Sequence, residues 1–172
     1  MRVLADAKEI ANRLGGRSVL GRTVTTERDL HRLVLDGISP RVTEYLISRG
    51  MLTRDEIELI VAKRTLARRR VDGRALHWTQ SDALVRLVRV VATAESFIPN
   101  RDEAGRWLRR ANRDLAGSTP LDLAYTDAGL QLLKTFFGTQ PARLPARAAA
   151  VRDGKARTPS TSRAAANRRT PK

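Results

Sequence analysis

The sequence predicts an all-α protein, and two patterns along the chain support this fold class. Apolar residues recur at the spacing of one helix face, and polar side chains that begin helices stand three residues before acidic ones at five positions. No segment shows the alternation of apolar and polar residues that a half-buried strand needs. With 172 residues, of which 41% are hydrophobic, the chain suits one compact domain of about 100–150 residues and an additional segment.

Helix starts recur along residues 1–140. In a capping box, a hydroxyl or amide side chain accepts a hydrogen bond from a free backbone amide, and the acid three residues later lies near the positive end of the helix. The five sequences of this kind are Thr26 with Asp29, Thr53 with Glu56, Thr79 with Asp82, Asn100 with Glu103, and Thr119 with Asp122. Ser39 followed by Pro40 gives a sixth start, because proline is tolerated at the first helical position. Six starts predict six helices.

Apolar residues follow helical spacing at the beginning of the chain and after Thr79. The first stripe consists of Val3, Leu4, Ala7, Ile10, Ala11 and Leu14. The helix after Thr79 has one stripe of Leu84, Leu87, Val88 and Val91, and a second of Val85 and Val90. A helix that is apolar on two sides is usually buried between layers or at a subunit interface. We also expect Trp107 to anchor its own helix in the core.

Positive charge is concentrated in two segments. The chain has 33 Lys and Arg against 18 Asp and Glu, a formal net charge of +15. Residues 63–74 contribute six cations and one acid, and residues 141–172 contribute nine cations and one acid. Residues 141–172 also hold four of the seven prolines and lack aromatic residues, so we predict a disordered basic tail. Such a tail is either a solvated extension or a non-specific nucleic-acid arm.

The composition excludes several kinds of site and argues against catalysis. Without cysteine the chain cannot form disulfides or thiolate metal sites, which suits a reducing cytosol. The two histidines, His31 and His77, are too far apart to form a helical metal pair, so we predict neither metal nor cofactor. Residues 16–23 resemble a phosphate loop but lack the preceding strand. We expect a non-enzymatic protein of the cytoplasm with no membrane span.

One basic segment suggests DNA binding. Residues 53–70 are predicted to form two short helices, 55–60 and 63–70, joined by a tight turn. If Leu66 points inward, the basic side chains of the second helix point outward, where they can hydrogen-bond guanine or pair with phosphates. The predicted DNA-contacting residues are Lys63, Arg64, Thr65, Arg68 and Arg69. The alternative is a solvated, Arg-rich helix end, which the helix dipole also favours.

Short motifs spread over residues 14–138 carry a family resemblance. They lie at 52–57, 63–69, 81–84 and 107–108, then at Asn112-Arg113 and Thr119-Pro120-Leu121-Asp122-Leu123, followed by Thr126 and Gly129. Together these motifs resemble the Xre/MbcA/ParS-type antitoxins, and the run from Asn112 to Asp122 is the most specific part. Family members usually carry Gly-Ile-Ser before the recognition helix, where this chain has Ile60-Val61-Ala62.

The resemblance implies an antitoxin that represses its own operon. It implies a Cro-like helix-turn-helix region at residues 1–78, a helical toxin-binding domain at 79–140 and the basic tail at 141–172. The implied partners are operator DNA and a RES-domain toxin, an enzyme that consumes NAD⁺ and whose pocket the antitoxin blocks. We expect a homodimer or a larger hetero-oligomer with the toxin. The toxin-binding residues assigned on this basis are Asn112, Arg113, Leu132, Phe136 and Phe137.

Two hypotheses about the function stay open at this point. In the first, the protein is an antitoxin and autorepressor without catalytic activity. In the second, it is a free-standing helix-turn-helix regulator or a nucleoid-associated protein that uses the basic helix and the tail without a toxin partner. A toxin gene beside the gene for this chain would favour the first hypothesis.

Overall fold

The computed structural model describes residues 4–140, which form ten α-helices and one 3₁₀ helix. The α-helices are α1 (Ala7–Arg13), α2 (Gly16–Leu20), α3 (Glu27–Asp36), α4 (Arg41–Ser48), α5 (Arg54–Glu58), α6 (Lys63–Val71), α7 (Trp78–Phe97), α8 (Arg101–Leu108), α9 (Pro120–Leu123) and α10 (Asp127–Thr139). The 3₁₀ helix covers Arg113–Leu115. No strand occurs between residues 4 and 140, so the all-α prediction is confirmed. The predicted basic tail, residues 141–172, lies outside the described residues.

Four of the predicted helix starts are confirmed by the hydrogen bonds that cap them. In each, the predicted side chain accepts from the backbone amide three residues later, and the capping residues are Thr26, Thr53, Asn100 and Thr119. At Thr26 and Thr53 the acid also accepts from the backbone of the capping residue, so both are complete capping boxes. These hydrogen bonds fix the first turns of α3, α5, α8 and α9.

Two predicted helix starts are displaced. α7 begins at Trp78 after His77, where Gln80 Oε1 accepts a hydrogen bond from the His77 amide at 3.0 Å and closes the first turn. Thr79 therefore lies inside the helix instead of capping it. α4 begins at Arg41, so Pro40 is the capping residue and not the first helical residue.

The prediction of six helices is wrong, since ten α-helices occur between residues 4 and 140. Asp6 caps α1 by accepting from a backbone amide at 2.8 Å, a pair outside the five predicted boxes. Thr126 caps α10 through the amide of Gly129, so glycine stands where a capping box would have an acid. α2 and α6 begin after Gly15 and Ala62, two residues without a side-chain group that could accept a hydrogen bond. The capping-box pattern thus finds only helices that begin with a hydroxyl or amide followed three residues later by an acid.

α7 is the central helix of the fold. Helices α1, α3, α8, α9 and α10 pack against it, and buried residues occur on every side of it, which confirms the prediction of a helix between layers. Two buried hydroxyl groups tie other segments to it: Thr93 Oγ1 accepts from the Ala5 amide and Ser81 Oγ from the Ile38 amide, each at 2.9 Å. Between residues 4 and 140, no helix is long and apolar enough to cross a membrane.

An aromatic cluster joins α7, α8 and α10. It consists of Phe97, Trp107, Phe136 and Phe137. Trp107 is 3% exposed, which confirms that it anchors its helix in the core. α10 also packs on α9 so closely that a Cβ atom added to Gly129 would lie 2.0 Å from the Leu123 carbonyl oxygen. The last three α-helices are therefore held together as one packed unit against α7.

Candidate functional site

Two short helices, α5 and α6, form the region predicted to bind DNA, and residues 59–62 join them. Ile57 and Val61 are each 1% exposed and Leu66 is 8% exposed, so three apolar side chains attach this pair to the core. Leu66 points inward, as predicted. α5 and α6 are thus two short helices joined by a tight turn, as the sequence predicted.

The turn between α5 and α6 forms although it lacks the glycine and serine usual in the family. Ala116 is the one non-glycine residue with positive φ among the residues described, so residues 60–62 turn with ordinary backbone angles. The amides of Ile60 and Val61 both donate to the Ile57 carbonyl oxygen at 3.0 Å. Burial of Val61 and these two hydrogen bonds therefore hold the turn in place.

α6 presents a basic outer face. Of the predicted DNA-contacting residues, Lys63, Arg64 and Arg68 are exposed, and Thr65 and Arg69 are half-buried. The Nη1 atom of Arg69 donates to the Ala75 carbonyl oxygen within the protein. Arg69 therefore supports the chain that follows α6, and the other four residues are not held in this way by a hydrogen bond to residue 75.

Arg70, which the sequence prediction did not include, anchors the last turn of α6. Its Nη1 atom lies 2.7 Å from Glu44 Oε1, and its Nη2 atom donates to Thr43 Oγ1 at 3.2 Å. Both partners belong to α4. No spacing in the sequence connects these residues, because the contact depends on how α4 and α6 meet in the folded chain.

A second surface is a groove between the 3₁₀ helix, α9 and α10. It has a volume of about 500 Å³, and its apolar lining residues are Leu115, Leu123, Leu132 and Phe136. The polar lining residues are Asp114, Thr135, Thr139 and Gln140. Leu132 is 59% exposed beside this lining, so apolar surface at the groove is open to solvent. We call this feature the α9–α10 groove.

The predicted toxin-binding residues of α10 divide between the groove and the core. Leu132 and Phe136 line the groove, and Phe136 is 9% exposed there. Phe137 is 1% exposed and belongs to the aromatic cluster. Leu115 and Leu123 complete the groove and were not predicted, because they come from elements that meet only in the folded chain.

Asn112 and Arg113 lie at the 3₁₀ helix that forms one wall of the groove. Asn112 Oδ1 accepts from the Asp114 amide, and the Asn112 carbonyl oxygen accepts from the Gly117 amide, each at 2.9 Å. The turn that follows needs left-handed backbone angles, with φ of 54° at Ala116 and 82° at Gly117. Asn112 therefore shapes the wall of the groove, and Arg113 is exposed beside it.

One junction connects the two surfaces. The Arg109 guanidinium lies against the Glu56 carboxylate, with Nε 2.7 Å from Oε1, and the Tyr125 hydroxyl donates to the Glu56 carbonyl oxygen at 3.1 Å. Burial, followed by the negative charges of Glu56 and Asp122, raises the pKa of Tyr125 to about 12, so its phenol stays protonated. Burial also lowers the pKa of Arg86, whose Nη2 atom donates to the Tyr125 carbonyl oxygen at 3.1 Å.

Comparison with known proteins finds a family match in the last third of the described chain. Residues 93–137 match the family described as the antitoxin Xre/MbcA/ParS C-terminal toxin-binding domain. A stretch of 106 residues is 29% identical to Antitoxin Xre from Pseudomonas putida, over 62% of this chain and 67% of that protein. The matched residues contain the aromatic cluster and the apolar lining of the α9–α10 groove. The resemblance to Xre-type antitoxins seen in the motifs is therefore confirmed, and residues 93–137 match a toxin-binding domain of that family.

Proposed function

We propose that this antitoxin neutralises its toxin by docking the α9–α10 groove on it and covering the toxin's active-site pocket. The observation that supports this proposal is the exposure of Leu132 at an apolar groove inside the toxin-binding domain. Exposed apolar surface of this kind marks interaction sites, because each Å² removed from water contributes about 25 cal/mol.

The groove suits an apolar side chain or a short apolar segment of the toxin. Leu115 and Leu123 face it from the 3₁₀ helix and α9, and Leu132 faces it from α10. Polar groups of Asp114 and Thr135 lie beside this apolar lining and can hydrogen-bond a partner's backbone. An apolar centre with a polar rim is the usual organisation of a protein interface.

The toxin in this proposal is a RES-domain enzyme that consumes NAD⁺, as the family resemblance implies. Covering the pocket of such an enzyme needs a complementary surface but no reacting group in the antitoxin. The antitoxin is therefore a binding protein without catalytic activity. In the complex we expect a homodimer of the antitoxin or a larger hetero-oligomer with the toxin, located in the cytoplasm.

Leu132→Asp tests the toxin-binding surface, with Gln131→Asp as the matched control. Both side chains are exposed on α10, and both changes add one negative charge. Leu132 lines the α9–α10 groove, whereas Gln131 lines a cleft that α10 forms with α3 and α7. Each variant is co-expressed with the toxin while growth and cellular NAD⁺ are followed.

We expect Gln131→Asp to protect the cells and Leu132→Asp to lose protection, with both proteins folded. Full protection by Leu132→Asp would place the inhibitory contact outside the groove. A toxin that arrests growth on its own without lowering NAD⁺ would contradict the RES assignment.

The proposal includes a second activity, in which α6 binds operator DNA and represses the operon. It is supported by the basic outer face of α6, formed by Lys63, Arg64 and Arg68, and by the tight turn from α5. Such a helix fits the major groove, where arginine forms bidentate hydrogen bonds with guanine. A regulator without a toxin partner is the less favoured alternative, because residues 93–137 match a toxin-binding domain.

Operator binding is tested by titrating the protein into DNA from upstream of its operon and into a scrambled duplex of the same composition at fixed salt. We expect tighter binding to the upstream DNA, since base contacts add to the phosphate attraction. Equal affinity for both would leave only non-specific binding.

We assign DNA binding to residues 1–78 and toxin binding to residues 79–140, two parts that share one continuous core.

A further inference from the structure

Glu56 receives hydrogen bonds from both parts of the protein. Its Oε2 atom accepts from the Thr53 amide at 2.7 Å in the capping box of α5. The same carboxylate is held by Arg109, with Nε 2.7 Å from Oε1 and Nη2 2.9 Å from Oε2. The Glu56 side chain is only 14% exposed. Charge-assisted, bidentate pairing of this kind fixes geometry as well as adding energy.

Arg109 connects three segments at this point. Besides Glu56, its guanidinium donates to the Gly105 carbonyl oxygen at 3.1 Å and to the Met51 carbonyl oxygen at 3.4 Å. Gly105 belongs to α8, and Met51 precedes α5. The Tyr125 hydroxyl holds the Glu56 backbone at 3.1 Å. Both the side chain and the backbone of Glu56 are therefore fixed by residues of the toxin-binding domain.

The start of α6 is linked directly to α5, whereas Arg70 holds its last turn to α4. The two helices are joined by residues 59–62, whose first turn is closed by hydrogen bonds to the Ile57 carbonyl oxygen. α6 starts after Ala62, a residue with no capping group, so the start of α6 depends on the turn that leads from α5. A change in the tilt of α5 would move Arg64 and Arg68 together.

We propose that Arg109 is a positioning residue for operator recognition, acting through Glu56 on α5 and so on α6. This inference rests on the proposed DNA binding by α6. Base recognition requires donor and acceptor atoms within hydrogen-bond distance, whereas attraction to phosphates needs charge and little alignment. Loss of the Arg109–Glu56 pair is therefore expected to reduce specific binding and leave non-specific binding almost unchanged.

The test compares Arg109→Gln with Arg106→Gln, an exposed arginine in the last turn of α8 that controls for the loss of one positive charge. Affinity for operator DNA and for a scrambled duplex is measured at fixed salt, and the melting temperature of each variant is recorded. We expect Arg109→Gln to raise the operator Kd at least about tenfold relative to Arg106→Gln, which corresponds to the loss of one bidentate pair with a base. The two variants should agree within about twofold on the scrambled duplex, because they carry the same charge.

Two further variants address folding. Arg109→Lys retains the charge and one hydrogen bond to Glu56, so it should restore part of the operator affinity. Tyr125→Phe removes one hydrogen bond to the Glu56 backbone and should change the operator Kd in the same direction, but less. A purely structural role for Arg109 predicts instead a parallel loss for both DNAs that follows the fall in melting temperature.

Besides this parallel loss, two other outcomes would overturn the inference. If the wild-type protein prefers the operator and Arg109→Gln behaves like Arg106→Gln, Arg109 does not position α6, although the proposed DNA binding stands. If the wild-type protein binds both DNAs equally, the proposed DNA function fails and the inference fails with it.

Discussion

Leu132 and Phe137 belong to the same helix, α10, but Leu132 is 59% exposed at the α9–α10 groove whereas Phe137 is 1% exposed. The Phe137 ring lies 5.3 Å from that of Phe97 and 5.8 Å from that of Trp107, measured between centroids. One helix therefore supplies part of the proposed toxin surface and part of the core. Deleting α10 would remove both, so single substitutions are needed to separate binding from folding.

Phe137→Ala should destabilise the protein by about 3–5 kcal/mol, because it leaves a cavity among buried aromatic rings. Leu132→Ala should change stability by less than about 0.5 kcal/mol, since its side chain already faces solvent. Urea denaturation of both variants measures the difference in the free energy of unfolding. Similar losses for the two would mean that Leu132 is packed in solution, and the groove would not be open to a partner.

Hydrogen bonds between near neighbours could be predicted from the sequence. The capping boxes at Thr26 and Thr53 each close within three residues, so the residue types alone identify them. The start at His77 was missed because histidine is an uncommon capping residue, and the hydroxyl of Thr79 offered a more familiar one. Leu66, which the sequence analysis took as the inward residue of α6, is buried.

Contacts between distant segments could not be predicted in this way. Arg109 and Glu56 lie 53 positions apart, and the pair exists only because the fold brings the residue after α8 to the first turn of α5. The apolar lining of the α9–α10 groove depends on how three short elements meet. Arg69 is a residue type that often contacts DNA, but in the folded chain its guanidinium group donates to the Ala75 carbonyl oxygen. In each case the role of the residue depends on contacts between distant segments, which the sequence around that residue does not indicate.

Replacing Arg64 and Arg68 by Ala should weaken operator binding by about 1–3 kcal/mol for each arginine–guanine pair that is removed, without unfolding the protein. Both side chains are exposed on α6. The charge-matched control replaces Arg28 and Arg32, which are exposed on α3. Gel-shift titration at fixed salt compares the two double variants. If they bind the operator equally well, the outer face of α6 does not read DNA and the affinity comes from overall charge.

The stability of the protein should fall as the pH rises from about 10 to about 12, and Tyr125 should contribute to that fall. Burial and the charges of Glu56 and Asp122 raise its pKa from 10.0 to about 12, and the positive charge of Arg109 only partly opposes them. In this range the unfolded chain loses the phenol proton while the folded chain keeps it, so the free energy of unfolding decreases with pH. Tyr125→Phe removes this titration but keeps Tyr45 and every lysine of the wild type. Urea denaturation at about pH 9 and about pH 11.5 measures the free energy of unfolding, which should decrease less between the two pH values in the variant than in the wild type. Equal decreases in the two proteins would show that the Tyr125 hydroxyl is not held against Glu56 in solution.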